Sequence, residues 1–261
     1  MIKLICSDVD NTLLFDKNGT IDKETFDAIG RAEKKGILFA VISGRPLCDL
    51  QRFFGEKADS LILASYEGAL VTYKGKTLWD KPIDRNLYNS FADCYKDNKN
   101  VEYVIYTKDA AYVRDISGSA PMLLKESVSM NGRIFECAPD KIKDPVYKLS
   151  LVSQSGTFDF DFEADKWNSY MYNIYTGGHW CEFTAKDMNK DYSIHMIMEI
   201  LGFNRSEVMA FGDGLNDIGM LSACDFSFAM SNASDEVKNA AQFTTDNVAR
   251  TVRSFIENNG K

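Results

Sequence analysis

Two aspartates stand two residues apart in Ser7-Asp8-Val9-Asp10-Asn11-Thr12, directly after the apolar run Leu4-Ile5-Cys6. Side chains alternate along an extended backbone, so at the carboxyl end of a strand both carboxylates can project towards one site. Two like charges held so close repel, and the pair is tolerated only with a bound cation or a shared proton. A hard divalent ion with oxygen ligands, such as Mg2+, meets that need. A solvated Asx turn capping the strand accounts for the same residues without a ligand. Later segments of the chain weigh against that simpler reading.

Asp22 can cap a helix through Phe26, Ile29 and Ala32 that Gly36 stops, after a turn signal at Lys17-Asn18-Gly19. Ile37 to Ile42 is a continuous apolar run of strand length, the pattern of a strand buried on both faces in a parallel sheet. It ends in Ser43-Gly44-Arg45-Pro46, where Pro46 suits the first turn of a helix carrying Leu47, Leu50, Phe53 and Phe54. Leu61 to Ser65 repeats the strand signal. This order predicts an α/β fold with an open parallel, Rossmann-like sheet, whose ligands sit beyond the carboxyl ends of the strands.

The pattern then changes. A hairpin is expected around Lys74-Gly75, then a helix capped by Asp84 with Leu87, Phe91 and Tyr95 on one face. Half-buried strands are expected at 103–106, 111–113, 133–137, 146–152 and 172–175, with weaker helical character over 121–126 and 161–170. Strands mixed irregularly with helices predict an α+β unit, residues 82–183, inserted into a discontinuous core of residues 1–81 and 184–261. From Asn189 the first pattern resumes: a helix bearing Ile194, Ile197, Met198 and Leu201, and a strand Val208 to Phe211 that ends in Gly212-Asp213-Gly214-Leu215-Asn216-Asp217. A helix with Ile218, Met220 and Leu221, a strand at 226–229 and helices at 235–241 and 248–256 complete the chain.

With 261 residues, 45% of them hydrophobic, the chain can bury a sizeable core. Its net charge of −8 argues against nucleic acid or an anionic membrane as the main partner. Six scattered cysteines without a C-x-x-C pair suit a reducing compartment, and no apolar run approaches the ~18 residues of a membrane helix. A cytoplasmic protein is expected, a monomer or weak homodimer.

Together, Asp8-x-Asp10-x-Thr12, Ser43-Gly44-Arg45, Lys190 and Gly212-Asp213-x-x-Asn216-Asp217 resemble, in order and spacing, the four signatures of the haloacid dehalogenase-like phosphohydrolases. The chain is most similar to the Cof-like sugar-phosphate phosphatases of type IIB, whose α+β cap is inserted between the second and third signatures. The resemblance implies a Mg2+-dependent phosphatase acting through an aspartyl-phosphate, whose partner is a small phosphorylated metabolite. Asp8 would be the nucleophile and Asp10 the general acid and base, carrying the proton that Asp8 lacks. Lys190 would neutralise phosphoryl charge, and Lys186 competes for that role. Mg2+ would be held by Asp8, Asp10 through its main-chain carbonyl, and Asp213, with Asp217 supporting that shell. Asn11, Thr12, Ser43, Gly44, Arg45 and Asn216 would contact phosphate or substrate. A phosphomutase of the same fold, or a non-catalytic phosphometabolite-binding protein, are the alternatives.

The chain departs from the family pattern at three points. Asn11 replaces the usual glycine of the first loop, and asparagine tolerates left-handed backbone. Glu67 stands where the family commonly has asparagine, which puts a carboxylate near the substrate entrance. The tail lacks the usual Glu-Asp-Gly. Of the two histidines, His195 is expected packed or exposed, and His179, beside Trp180, is a candidate substrate contact.

Overall fold

The computed structural model describes residues 1–15, 20–119, 130–153 and 158–257. The turn expected at Lys17-Asn18-Gly19 and the helical character expected over 121–126 lie outside them.

The chain opens with β1 (Leu4–Ser7), buried throughout. At α1 (Lys23–Lys34) the Thr25 N–H donates to the Asp22 carboxylate at 2.6 Å, and Ala28, Ile29 and Ala32 form the buried stripe. β2 (Leu38–Ile42) leads to α2 (Leu47–Phe54), for which Pro46 is the cap residue and lies just outside the first turn. β3 (Ile62–Ser65) then runs into the hairpin of β4 (Leu70–Tyr73) and β5 (Lys76–Asp80), closed by Lys74 and Gly75 at φ +51° and +73°.

Next come α3 (Arg85–Tyr95), β6 (Glu102–Thr107), β7 (Ala111–Val113) and a single turn α4 (Ile116–Ser119). They are followed by β8 (Ile134–Glu136), β9 (Val146–Val152), α5 (Phe160–Trp167), β10 (Met171–Gly177) and β11 (Trp180–Ala185). The chain returns through α6 (Lys190–Leu201), β12 (Val208–Gly212), α7 (Ile218–Ser222) and β13 (Phe226–Met230). It closes with α8 (Asp235–Ala240), β14 (Phe243–Thr245) and α9 (Val248–Glu257).

Eight strands form the main sheet in the order β14-β13-β12-β1-β2-β3-β4-β5. The first six are parallel, and the hairpin adds two antiparallel strands at one edge. Alternation sorts the core: Leu4, Cys6, Ala40 and Ile42 face α6 and α7, while Ile5, Phe39 and Val41 join the cluster containing α1 and α9. The second sheet, β10-β11-β9-β6-β7-β8, is antiparallel except for the β7–β8 pair. The protein is thus an α/β Rossmann-like core with an α+β cap.

The structure corrects the sequence reading in three places. β11 and the three-residue β14 were not expected as strands. β6 and β9 are buried along their whole length, not half-buried. The helices of the cap cover one face of this sheet, where Phe183 meets Phe91 edge-on at 5.9 Å, and the core covers the other. Tyr66 joins the two units: it is buried, its hydroxyl donates to the Thr107 carbonyl at 2.9 Å, and its ring stacks on Tyr147 at 5.9 Å. Among the described residues no helix is long and apolar enough to cross a membrane.

Candidate active site

Asp8 follows the last residue of β1, and its N–H donates to the Phe211 carbonyl of β12 at 3.0 Å, which places it beside the turn after that strand. Lys190 is the first residue of α6, a helix whose start is fixed by the Tyr192 N–H donating to Asn189. Its side chain is only 2% exposed, and Nζ donates to Asp8 Oδ1 at 2.5 Å and to Asp217 Oδ1 at 2.7 Å. The other Asp217 oxygen accepts the Asp213 and Gly214 N–H groups at 2.9 and 2.8 Å. Gly212 permits this closure, because a Cβ there would lie 2.5 Å from Asp217 side-chain atoms. The Thr12 hydroxyl donates to Asp213 Oδ1 at 2.9 Å. Thr12, expected at the phosphate, is buried with its hydroxyl on Asp213.

Lys186, the competing lysine, is exposed and donates to the Ser169 carbonyl, away from this cage.

One carboxylate oxygen from each of Asp8, Asp213 and Asp217 lies within 4.8 Å of the others. Burial pushes the Asp8 carboxyl well up, opposed by Lys190 and reinforced by Asp217. Burial also raises Asp213, against the Thr12 hydrogen bond. Burial alone would lower Lys190, but Asp217, Asp8 and Glu67 outweigh it and hold the ammonium charged. Three carboxyls around one ammonium leave room for further positive charge, and their hard oxygen donors fit Mg2+. Asp217 has both oxygens engaged, which suits support of a metal shell more than direct ligation.

Asp10 turns away from this cage. Arg45 Nε donates to its Oδ2 at 2.8 Å and Nη2 to its Oδ1 at 2.6 Å, while Nη1 donates to buried Asp49 at 2.5 Å. Burial works against the Arg45 charge, but Asp10 and Asp49 more than restore it. Arg45 thus bridges Asp10 and Asp49. Asp10, expected as the general acid and base, meets Arg45 in this arrangement. Asn11 adopts φ +57°, the left-handed backbone its position requires, and lines the cavity with Ser43 and Gly44. The Ser43 hydroxyl accepts the Arg45 N–H at 3.2 Å.

These residues form the floor of a cavity of about 370 Å³. Asn216 Nδ2 donates to Glu67 Oε1 at 3.3 Å on one wall. The roof comes from the cap: Lys148 and Glu182, paired at 2.7 Å, with Ile174, Tyr175 and Trp180. The sequence reading left these cap residues unranked. A signal existed, since Lys148 is a lone charge in the otherwise apolar or small run Val146 to Val152. His179 is exposed on the turn between β10 and β11 and lies outside the cavity lining, and exposed His195 points Nδ1 at the Asp191 carbonyl.

The chain is similar along nearly its whole length to known proteins. A 5-amino-6-(5-phospho-D-ribitylamino)uracil phosphatase of Bacillus subtilis is 30% identical, the match covering 98% of this chain and 96% of the relative. One of the same name from Escherichia coli is 28% identical, covering 93% and 90%. A crystal structure from Eubacterium rectale superposes with a TM-score of 0.85 at 26% identity, covering 97% of this chain and 99% of that one. A haloacid dehalogenase-like hydrolase from Bacteroides thetaiotaomicron gives 0.83 at 22% identity over 98% and 100%, a likeness of fold. The family profile described as haloacid dehalogenase-like hydrolase matches residues 5–252, and the chain belongs to that family.

Proposed function

We propose that this hydrolase is a phosphoric monoester hydrolase: a Mg2+-dependent phosphatase that releases inorganic phosphate from small phosphorylated metabolites, sugar phosphates or similar, through an aspartyl-phosphate on Asp8. The observation that carries the reading is the meeting of Asp8, Lys190, Asp213 and Asp217, from three distant stretches, at the floor of one cavity.

In this reading the free Asp8 oxygen attacks phosphorus in line, an oxygen–phosphorus bond forms, and the ester bond to the leaving oxygen breaks. Asp10, having left Arg45 and taken a proton from solvent, gives that proton to the leaving oxygen, then takes one from the water that cleaves the acyl-phosphate. To do so Asp10 first parts from Arg45, and an incoming phosphate dianion is a competing partner for that guanidinium. Lys190 offsets the charge gathering on the phosphoryl oxygens, with the Ser43 hydroxyl and the backbone around Gly44 beside it. Asn11 and Asn216 flank the same space. A Mg2+ held by Asp8, Asp213 and the Asp10 main-chain carbonyl, with Asp217 behind, would supply further charge neutralisation and alignment of the phosphoryl group. Residues 82–183 act as the specificity cap, excluding bulk water when closed.

The test is hydrolysis of 4-nitrophenyl phosphate with Mg2+. Asp8→Asn is expected to lower turnover by at least ~10³-fold, and chelation by EDTA to abolish it. Equal rates in Asp8→Asn and parent would remove Asp8 as nucleophile. A metabolite panel, including the phosphoribitylamino-uracil named for the two relatives, separates the alternatives. Free phosphate rising with turnover supports hydrolysis. Transfer to a second sugar position indicates a phosphomutase, and binding without turnover a sensor.

A further inference from the structure

The reach of Lys190 depends on where α6 begins, and two glycines fix that place. Gly219 lies on α7, two residues after Asp217, against the first turn of α6: a Cβ on it would stand 2.3 Å from Asp191 Cβ and 2.9 Å from Asp191 Cγ. Gly68, at φ +88° on the turn between β3 and β4, meets the same turn of α6 through Ser193. A Cβ there would stand 1.7 Å from Ser193 Oγ and 2.5 Å from Ser193 Cβ. Asp191 and Ser193 are two residues apart, so they point roughly 200° apart around the helix. The start of α6 is thus gripped from two sides, and the Ser193 hydroxyl fastens it further by donating to the Asn189 and Glu67 carbonyls.

Glycine is a poor helix former, so Gly219 weakens α7, and the closeness of Asp191 is the reason no larger residue fits. Carbon atoms pack comfortably at about 3.5 Å or more, so a methyl group on Gly219 would part the two first turns by about 1 Å. On its other side α6 has no slack, because Gly68 already fits Ser193 without room for a Cβ. The strain therefore falls on α7, and Asp217 stands directly before it. Lys190 is one residue from the contact and Asp217 two, which makes their 2.7 Å pair the interaction that this contact spaces. The same ammonium reaches Asp8 at 2.5 Å. Asp191 itself is half-exposed and paired with His195.

Building on the phosphatase reading, we propose that Gly219 is a positioning residue: by carrying no side chain it lets α7 close on Asp191, and that approach sets the Lys190 ammonium between Asp8 and Asp217. It acts on the reaction only through Lys190 and Asp217, and what matters is the closeness of the two helix starts, not the Asp191 carboxylate.

The experiment measures kcat and KM for 4-nitrophenyl phosphate with Mg2+ in Gly219→Ala, Asp191→Gly, Gly219→Ala/Asp191→Gly and Gly219→Ala/Asp191→Ala. Gly219→Ala is expected to lower kcat by about 10- to 100-fold, with KM changed by less than about threefold. Removing the opposing Cβ in Gly219→Ala/Asp191→Gly is expected to bring kcat back to within about threefold of Asp191→Gly, whereas Gly219→Ala/Asp191→Ala, which keeps that Cβ, stays low. A kcat for Gly219→Ala within about twofold of the parent overturns the proposal, as does an effect confined to KM. Rescue by Asp191→Ala as complete as by Asp191→Gly also overturns it. Should Gly219→Ala fail to fold, the Asp191→Gly double variant decides: one that is unfolded, or folded with kcat more than about tenfold below Asp191→Gly, overturns the proposal. A parent that turns over no ester counts against the phosphatase reading instead. In that event urea unfolding tests Gly219 separately: Gly219→Ala is expected to shift the midpoint less than about half as far in a Lys190→Met background as in the parent, and equal shifts overturn the link to Lys190.

Discussion

The floor of the cavity and its roof are built by different means. Floor side chains stand in turns beyond the carboxyl ends of β1, β2 and β12 and at the start of α6, where backbone N–H groups also serve as donors, as Asp213 and Gly214 do for Asp217. The charged roof side chains stand mid-strand on β9 and β11, where alternation decides that Lys148 and Glu182 face the cavity while Phe183 faces α3. Turn geometry can gather several charges within a few ångströms. A sheet face spaces them by register, so the roof is open to substitution that the floor does not tolerate.

Three experiments press on that contrast. The largest effect is expected for Lys190→Met, which leaves Asp8 and Asp217 buried without their shared ammonium. Removing one partner from such a cage is expected to cost about 3–5 kcal/mol at neutral pH, read by urea unfolding, and to abolish turnover. A variant that melts like the parent would show that the floor is not an interlocked unit. Lys148→Met should act more mildly, because Glu182 retains some exposure and borders the cavity. About 1–2 kcal/mol of stability is expected to be lost, with a rise in KM for hydroxylated phosphate esters exceeding the fall in kcat. A loss confined to kcat would make the roof catalytic and erase the distinction.

The smallest effect concerns pH. Burial holds the Glu67 carboxyl above its ordinary value of 4.5, so the folded protein retains a proton that the unfolded chain releases near that pH. Its contribution to stability is therefore fully present below pH 4.5 and is lost as pH rises through the higher folded value. Melting temperatures from about pH 4.5 upwards should decline less steeply in Glu67→Gln than in the parent. Parallel declines would place that slope elsewhere in the molecule.

Much of the floor was legible beforehand because its groups travel in contiguous strings. Asp8-x-Asp10 and Gly212-Asp213-x-x-Asn216-Asp217 each interrupt an apolar run with residues whose turn chemistry is local. Lys190 could be preferred over Lys186 because it opens a capped helix. The roof was not legible in the same way. Lys148 and Glu182 are single charges in separate strands, and β11 was not expected as a strand at all. The bidentate Arg45–Asp10 pair was equally hidden, since nothing in Ser43-Gly44-Arg45 states which way the guanidinium turns.

The amino-acid order by itself determined the alternation of buried strands and capped helices, and with it the strand ends at which acidic and basic groups collect. These follow from short-range rules of periodicity, capping and turn formation, and each acts within a few neighbours along the chain. Only the tertiary structure decided that Thr12 serves Asp213, that Asp10 rests on Arg45, and that Glu67 is buried beside Asn216. Those outcomes depend on packing between segments far apart in the chain, where the competition among several partners for one charge is settled by distance and burial.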